Sequence, residues 1–201
     1  MAKIGALILA AGAGSRFMAG AGIVGYKPLA QIQGRPMLQA VIDLANLVVP
    51  GNVHTVLGNG AQEIARHISN TELLINPDWQ QGLGRSIGWS VGELMVGPQN
   101  YDGLLLILGD QPLLTVDGLR DLLGLYDRTR PVCALYNNSL GVPALFPREQ
   151  FLQLAQLQDD TGAKQLLLSM GRLVRQVPMP EAAVDIDTVE DLQALTAKQD
   201  R

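Results

Sequence analysis

The chain is poor in several residue types, and each scarcity removes a class of function. Cys133 is the single cysteine in 201 residues, so no internal disulfide can form and a reducing, cytoplasmic setting is expected. His54 and His67 are the only histidines, and their spacing to one another and to Cys133 matches no zinc motif. Positive charge is scarce as well, with 15 Lys and Arg against 19 Asp and Glu, a net charge of -4. That balance argues against nucleic-acid partners, which call for a basic face. No apolar run approaches the ~18 residues of a membrane span, so no membrane partner is expected. Lys3 followed by Ile4–Leu9 superficially resembles an export signal, but its charged region is one lysine and its apolar run is short.

What remains is 47% hydrophobic and contains 22 glycines, enough for a sizeable core with many tight turns. Short apolar runs, at Ile4–Leu9, Val53–Leu57, Leu73–Ile75, Leu104–Leu108, Val132–Leu135 and Leu173–Val177, read as strands. The run "LLLIL" at 104 to 108 is apolar at every position, as expected of a strand covered on both faces. Between the runs lie helix-period segments at Pro36–Leu47, Ala61–Ile68, Leu83–Met95, Thr115–Tyr126, Arg148–Leu157, Ala163–Met170 and Thr188–Ala197. Leu83, Ile87, Val91 and Leu94 form one stripe, read with Met95 as core. Pro36 suits a first helical turn, and Thr188 with Asp191 resembles a capping box. Such alternation predicts an α/β fold, a three-layer α/β/α sandwich with a mostly parallel sheet, over a single domain from 1 to 201. Ligands of such sheets bind beyond the carboxyl ends of the strands.

The first such position is "LILAAGAGSRFMAGAGIVGYKPLA", residues 7 to 30. A P-loop requires lysine directly after its last glycine and then a hydroxyl, whereas Tyr26 follows Gly25 and Pro28 follows Lys27. A dinucleotide fingerprint requires a third glycine where Phe17 stands, and the expected acidic residue is missing. Both readings fail. A backbone rich in Gly and Ala still suits wrapping a triphosphate, with Arg16 as a planar fork and Lys27 as a mobile point charge. Asp110, after the all-apolar run and Gly109, is placed either to hold a divalent cation or to cap the following turn. Asp185 and Asp187 share a face if extended, and serve either a metal or the next helix N-terminus.

The loop "LAAGAGSR" with its later lysine is followed by "GRPML", "NPDWQQGLGRSIGWSV", "LLLILGDQPLL", "GVPALF", "DDTGAKQLL" and "DIDTVEDL". In that order the motifs resemble the MobA-like NTP transferase family, and within it the molybdenum cofactor (molybdopterin) cytidylyltransferases. The resemblance covers most of the chain. It implies a Rossmann-like nucleotide-diphospho-sugar transferase (GT-A-like) fold and transfer of CMP from CTP to a molybdopterin-type phosphate, with pyrophosphate released. It further implies Mg²⁺ on Asp110 with Asp187, favoured over Asp185 because it directly precedes the helix start, and catalytic roles for Arg16, Lys27 and Asp110. Leu9, Ala10, Ala11 and Gly12 would bind the nucleotide along with Arg16 and Lys27, and Asn76, Gly84 and Ser86 would form the neighbouring wall. Gly141, Pro143, Asp160 and Gly162 would meet the acceptor, and a molybdoenzyme would be a transient partner. Trp79 is either core or a flank for a ring-shaped ligand.

One spacing departs from the resemblance: eleven positions separate Arg16 from Lys27, lengthened by "MAGAGIVG". Extra flexible residues cost little to close, about 0.6 kcal/mol per doubling of length. Alternatives at this stage are a guanylyl- or other nucleotidyltransferase with a different small phosphate ester, such as a phosphosugar or phospholactate. A non-catalytic nucleotide or molybdopterin carrier and a dinucleotide-dependent oxidoreductase are the others.

Overall fold

A computed structural model describes residues 2–17 and 25–199. Most of the "MAGAGIVG" insertion, residues 18–24, lies outside them. The strands are β1 (Ile4–Ala10), β2 (Gln31–Ile32), β3 (Arg35–Pro36), β4 (Val53–Leu57), β5 (Glu72–Ile75), β6 (Gly103–Leu108), β7 (Val132–Tyr136), β8 (Ser139–Pro147) and β9 (Arg175–Pro178). The main sheet has seven of them in the order β5-β4-β1-β6-β8-β7-β9. Every neighbouring pair is parallel except the two that include β8. Helices with described bounds are α1 (Met37–Asn46), α2 (Ala61–Ala65), α3 (Leu83–Val96), α4 (Val116–Gly124), α5 (Phe151–Ala155), α6 (Ala163–Met170) and α7 (Val189–Gln199).

Alternation along the central strands builds the three layers. Ala6 and Ile8 of β1, with Leu105 and Ile107 of β6, pack against α1, α2 and α4. Leu7 and Leu9, with Leu104 and Leu106, face the opposite way into α3, α5 and α6. Residues 104 to 107 are fully buried, each leucine or isoleucine contributing about 1.5–3 kcal/mol relative to exposure. "LLLIL" is therefore apolar throughout because both faces of its strand are covered. A third, smaller cluster joins Phe17, Ile32, Met37, Ile186 and Leu195. It ties the C-terminal segment to the loop after β1.

Several elements differ from the sequence expectation. β8 is reached by a hairpin whose two turn residues, Asn137 and Asn138, both have positive φ (49° and 56°). Asparagine tolerates that region, and such two-residue turns reverse a chain sharply. β8 is thereby the reversed strand in the sheet. A second hairpin, β2–β3, turns through Gln33 and Gly34 with φ of 50° and 77°. Pro36 consequently pairs with Gln31, and α1 begins at Met37. The 173–177 strand starts later, at Arg175, because Gly171–Leu173 is a 3-10 turn. The 148–157 helix shrinks to a 3-10 turn, Arg148–Gln150, and Phe151–Ala155. The 61–68 helix ends at Ala65. Leu83 and Met95 are 40% and 39% exposed, so the core stripe of α3 is Ile87, Val91 and Leu94. The capping box forms as expected: Asp191 accepts from the Thr188 backbone and hydroxyl, while its own N–H donates to Thr188 Oγ1.

His54, on β4, is buried with Nε2 2.7 Å from the Tyr101 hydroxyl. Its Nδ1 lies 3.3 Å from Glu72 Oε2 but outside hydrogen-bonding geometry. Burial, only partly offset by Glu72, holds the imidazole below its ordinary 6.5. The unfolded chain therefore binds a proton more readily below that value, and stability present above it is lost as pH falls. Between about pH 7.5 and 5, the melting temperature of the native protein falls more than that of His54→Gln, measured by thermal unfolding. Parallel curves would show that His54 is not the group responsible.

Candidate functional site

β1 and β6 run side by side, and Gly109 N donates to Leu9 O just beyond their paired ends. The two chains then diverge. That divergence opens a cleft of about 440 Å³ at the carboxyl ends of the parallel strands. The backbone from Leu9 to Arg16 forms one wall, and Trp79, Gln80, Gly82, Leu83 and Ser86 form the facing one. Asn59 steadies the first wall, its backbone N–H donating to Ala11 O and its amide to Ala13 O. Residues 15–17 turn helical, and Phe17 anchors them in the third apolar cluster. The dinucleotide fingerprint fails at Phe17 for this packing reason.

Four charged residues, Arg16, Lys27, Asp110 and Asp187, meet at the cleft. Lys27 Nζ donates to Asp110 Oδ2 at 2.7 Å and to Asp187 Oδ1 at 2.8 Å. Arg16 Nη1 lies 3.0 Å from Asp187 Oδ2. The Lys27 side chain is 12% exposed and that of Arg16 is 76% exposed. Lys27 is thus the sequestered cation and Arg16 the solvated one. Burial alone would lower the Lys27 ammonium, but Asp110 and Asp187 outweigh it and hold the pKa above 10.5. The lysine stem passes directly over Gly14, which has φ of 60°; a Cβ there would sit 2.9 Å from Lys27 Cβ. Glycine at 14 is what lets the stem through.

The acidic pair docks by its backbone. Ile186 N donates to Asp110 O at 3.0 Å, and the Ile186 side chain is buried in the third cluster. The flanking Asp185 and Asp187 consequently face outward, Asp187 onto the cleft. Asp185 is more exposed and does not line it. Although the residue as a whole is exposed, its carboxyl end lies toward Asp110 and Gln111 and loses hydration there; that loss, followed by the charge of Asp110, pushes its pKa up to about 6. Gln111 is fully buried, and its Nε2 donates to Ala182 O at 2.8 Å, fastening the same segment from below. Sequence reasoning did not single out Gln111; a polar residue between "LLLILGD" and "PLL" was the available signal. Asp110 Oδ1 is buried without a hydrogen-bond partner. Hard carboxylate oxygens, one of them unsatisfied, are a donor set that fits a divalent cation of the Mg²⁺ type, which takes one or two protein carboxylates. Among the described residues no cluster of three or more His, Cys, Asp or Glu is arranged for a metal.

The remaining predicted residues divide. Leu9, Ala10, Ala11, Gly12, Ser86 and Asp160 line the cleft. Asn76 does not; it is fully buried behind Ser86, donating to its Oγ at 3.1 Å and accepting from Asp78 N. Gly84 also lies off the cleft, its N–H donating to Asp159 O at 2.8 Å. Gly162 is the N-cap of α6, facing Leu83. Gly141 and Pro143 are buried within β8, where a Cβ on Gly141 would strike the Tyr136 ring. Trp79 and Leu83, rather than Asn76 and Gly84, supply the apolar part of the facing wall. Cys133 is buried and its thiol pushed up to about 11, which leaves it inert as a nucleophile.

These features define the class: a Rossmann-like α/β protein with the nucleotidyltransferase fold. More specifically, the chain belongs to the MobA-like NTP transferase domain family, which matches residues 6–175. The bifunctional protein GlmU of Enterococcus faecalis is 33% identical over 117 residues, 58% of this chain and 24% of that protein. The chain thus aligns with about a quarter of the length of the curated relatives it matches. Rv0371c from Mycobacterium tuberculosis H37Rv superposes with a TM-score of 0.80 at 26% identity, over 98% of both chains. Its complex with manganese matches at a TM-score of 0.77 and 26% identity, again over 98% of both chains.

Two cleft glycines separate packing from freedom. Gly82 has φ of 103°, and a Cβ would lie 2.5 Å from Asp159 O, whereas nothing lies within 4 Å of a Cβ on Gly12. Gly82→Ala is expected to destabilise by about 1–3 kcal/mol in chemical denaturation. Gly12→Ala should stay within about 0.5 kcal/mol. Equal effects would contradict the close approach between the 82 and 159 loops.

Proposed function

We propose that the protein is a metal-dependent nucleotidyltransferase that moves CMP from CTP to the terminal phosphate of a molybdopterin-type cofactor, with pyrophosphate as the other product. One observation carries this reading: Lys27, Asp110 and Asp187 converge at a cleft walled by the backbone of residues 9–16. Anionic phosphates need cations, and two carboxylates beside a triphosphate need a divalent ion between them and it. Asp110 and Asp187 would hold Mg²⁺. When bound, that ion supplies charge against the α-phosphate. The manganese complex of Rv0371c supports a divalent ion in this fold.

The chain's own groups position and neutralise. Arg16, exposed and able to swing, and Lys27, on a flexible stem, would hold the β- and γ-phosphates and then the departing pyrophosphate. Leu9, Ala10, Ala11 and Gly12 would present backbone to the base and ribose, with Trp79 and Leu83 opposite. Ala11 in "LAAG" favours cytosine by resemblance; a single methyl shifts such a preference by about 1–3 kcal/mol. An acceptor phosphate oxygen attacks the α-phosphorus as the bond to the bridging oxygen breaks. A phosphate is already ionised at neutral pH, so no side chain need remove a proton. Asp160, on the cleft, is the nearest of the proposed acceptor contacts.

Pyrophosphate release measured with CTP, GTP, UTP and ATP and a molybdopterin-bearing acceptor tests the reading. CTP is expected to be preferred, and Asp110→Asn to lower release at least about 10²-fold while the variant stays folded at the assay temperature. Preference for GTP or another acceptor would move the assignment within the class. Nucleotide binding with no pyrophosphate release would replace it with a carrier role.

A further inference from the structure

Lys27 sits where the proposed function wants something else. Its ammonium is sequestered more deeply than either carboxylate it touches, at 12% exposure against 26% for Asp110 and 37% for Asp187. It donates to one oxygen of each, at 2.7 and 2.8 Å, so both oxygens point at a single positive centre. A divalent ion bridging those two oxygens would need the same location. Two cations cannot occupy it together, since like charges at contact distance repel strongly wherever water is thin. Arg16 is no substitute for Lys27 there, because its side chain is 76% exposed and its ion pair with Asp187 is screened by solvent.

The lysine stem runs over Gly14 of the loop that would wrap the triphosphate. That unbranched stem has several rotatable bonds, so the ammonium has the freedom to leave the carboxylates for an anion held at the loop. We propose that Lys27 holds the place of the divalent ion in the nucleotide-free protein, and that metal and triphosphate together displace it onto phosphate oxygens. This inference rests on the metal reading of Asp110 and Asp187. It gives the resting site a charge balance that keeps both carboxylates aimed inward. It also makes the protein a poor ligand for free divalent cations, because the lysine gains a new anionic partner only when a triphosphate arrives. Metal and nucleotide then bind with positive coupling, which by linkage is equal in both directions.

Binding of Mn²⁺ alone, followed by the electron paramagnetic resonance of the free ion, tests the exchange in the wild type, Lys27→Met and Lys27→Gln. Either variant that keeps the native melting profile is expected to bind Mn²⁺ at least tenfold more tightly than the wild type. Adding Asp110→Asn to that variant should abolish the gain. In the wild type itself, calorimetric titration with an α,β-methylene analogue of CTP should show at least tenfold tighter binding with Mn²⁺ than without. Folded Lys27 variants that bind Mn²⁺ no more tightly than the wild type overturn the exchange. If Asp110→Asn alone still weakens the analogue's binding with Mn²⁺, the metal reading survives that result. Should Mn²⁺ affect neither protein, with or without the analogue, both readings fall. If no Lys27 variant folds, a wild type without coupling between Mn²⁺ and the analogue overturns the exchange, and coupling sustains it.

Discussion

An ammonium clasped by two carboxylates organises the cleft, and much of the surrounding structure exists to bring those three groups together. Lys27 arrives after the loop that follows β1, Asp110 at the end of β6, and Asp187 just before α7. A charge withdrawn from water is tolerated only when it is paired, so each member depends on the others. The pairing itself needs backbone support. Ile186 supplies it twice, through its N–H on Asp110 O and through its side chain in the cluster with Phe17, Ile32, Met37 and Leu195. A small apolar core, separate from the two large ones, thus sets the position of an acid from the far end of the chain.

The opposite wall follows a different logic. Gly82, Gly84 and Gly88 lack side chains on the side of α3 that meets the backbone of residues 155 to 161, and a Cβ on any of them would strike a carbonyl oxygen there. Asp159 O accepts from the N–H of Gly84, so part of the α3 N-terminus is already satisfied by protein. The glycines bring the segment carrying Asp160 up to the cleft edge instead of bringing a ligand up to the helix. Trp79, Gln80 and Leu83 then form the surface that a base or ribose would meet.

Much of this was legible from local pattern. The apolar runs located β1, β4, β6 and β7, because strands buried on both faces must be apolar at nearly every position, and the short run 73–75 located the exposed edge strand β5. Asp110 stood out because parallel sheets place ligands beyond their carboxyl ends, whereas the 185–187 pair stood out only through the resemblance carried by "DIDTVEDL". Less legible were features whose cause is a partner remote in sequence. The reversed strand β8 depends on two left-handed asparagines, whose signal is short beside the periodic runs that flank it. Leu83 fits the helical stripe by spacing, yet sits on the turn that opens onto the cleft. Asn76 and Gly84 looked like wall residues, but one is spent on Ser86 and the other on the 159 loop.

By itself the sequence determined an alternating α/β chain, a glycine-rich turn after the first strand, and the residue types available for a site: two cations and several carboxylates. Those follow from periodicity and side-chain chemistry, which act over a few residues. Tertiary structure alone decided that Lys27 is sequestered while Arg16 stays in water, and that Gln111 pins the segment through which Asp187 reaches the cleft. Burial and pairing are properties of neighbours brought together by folding, and no local pattern encodes which neighbours those are.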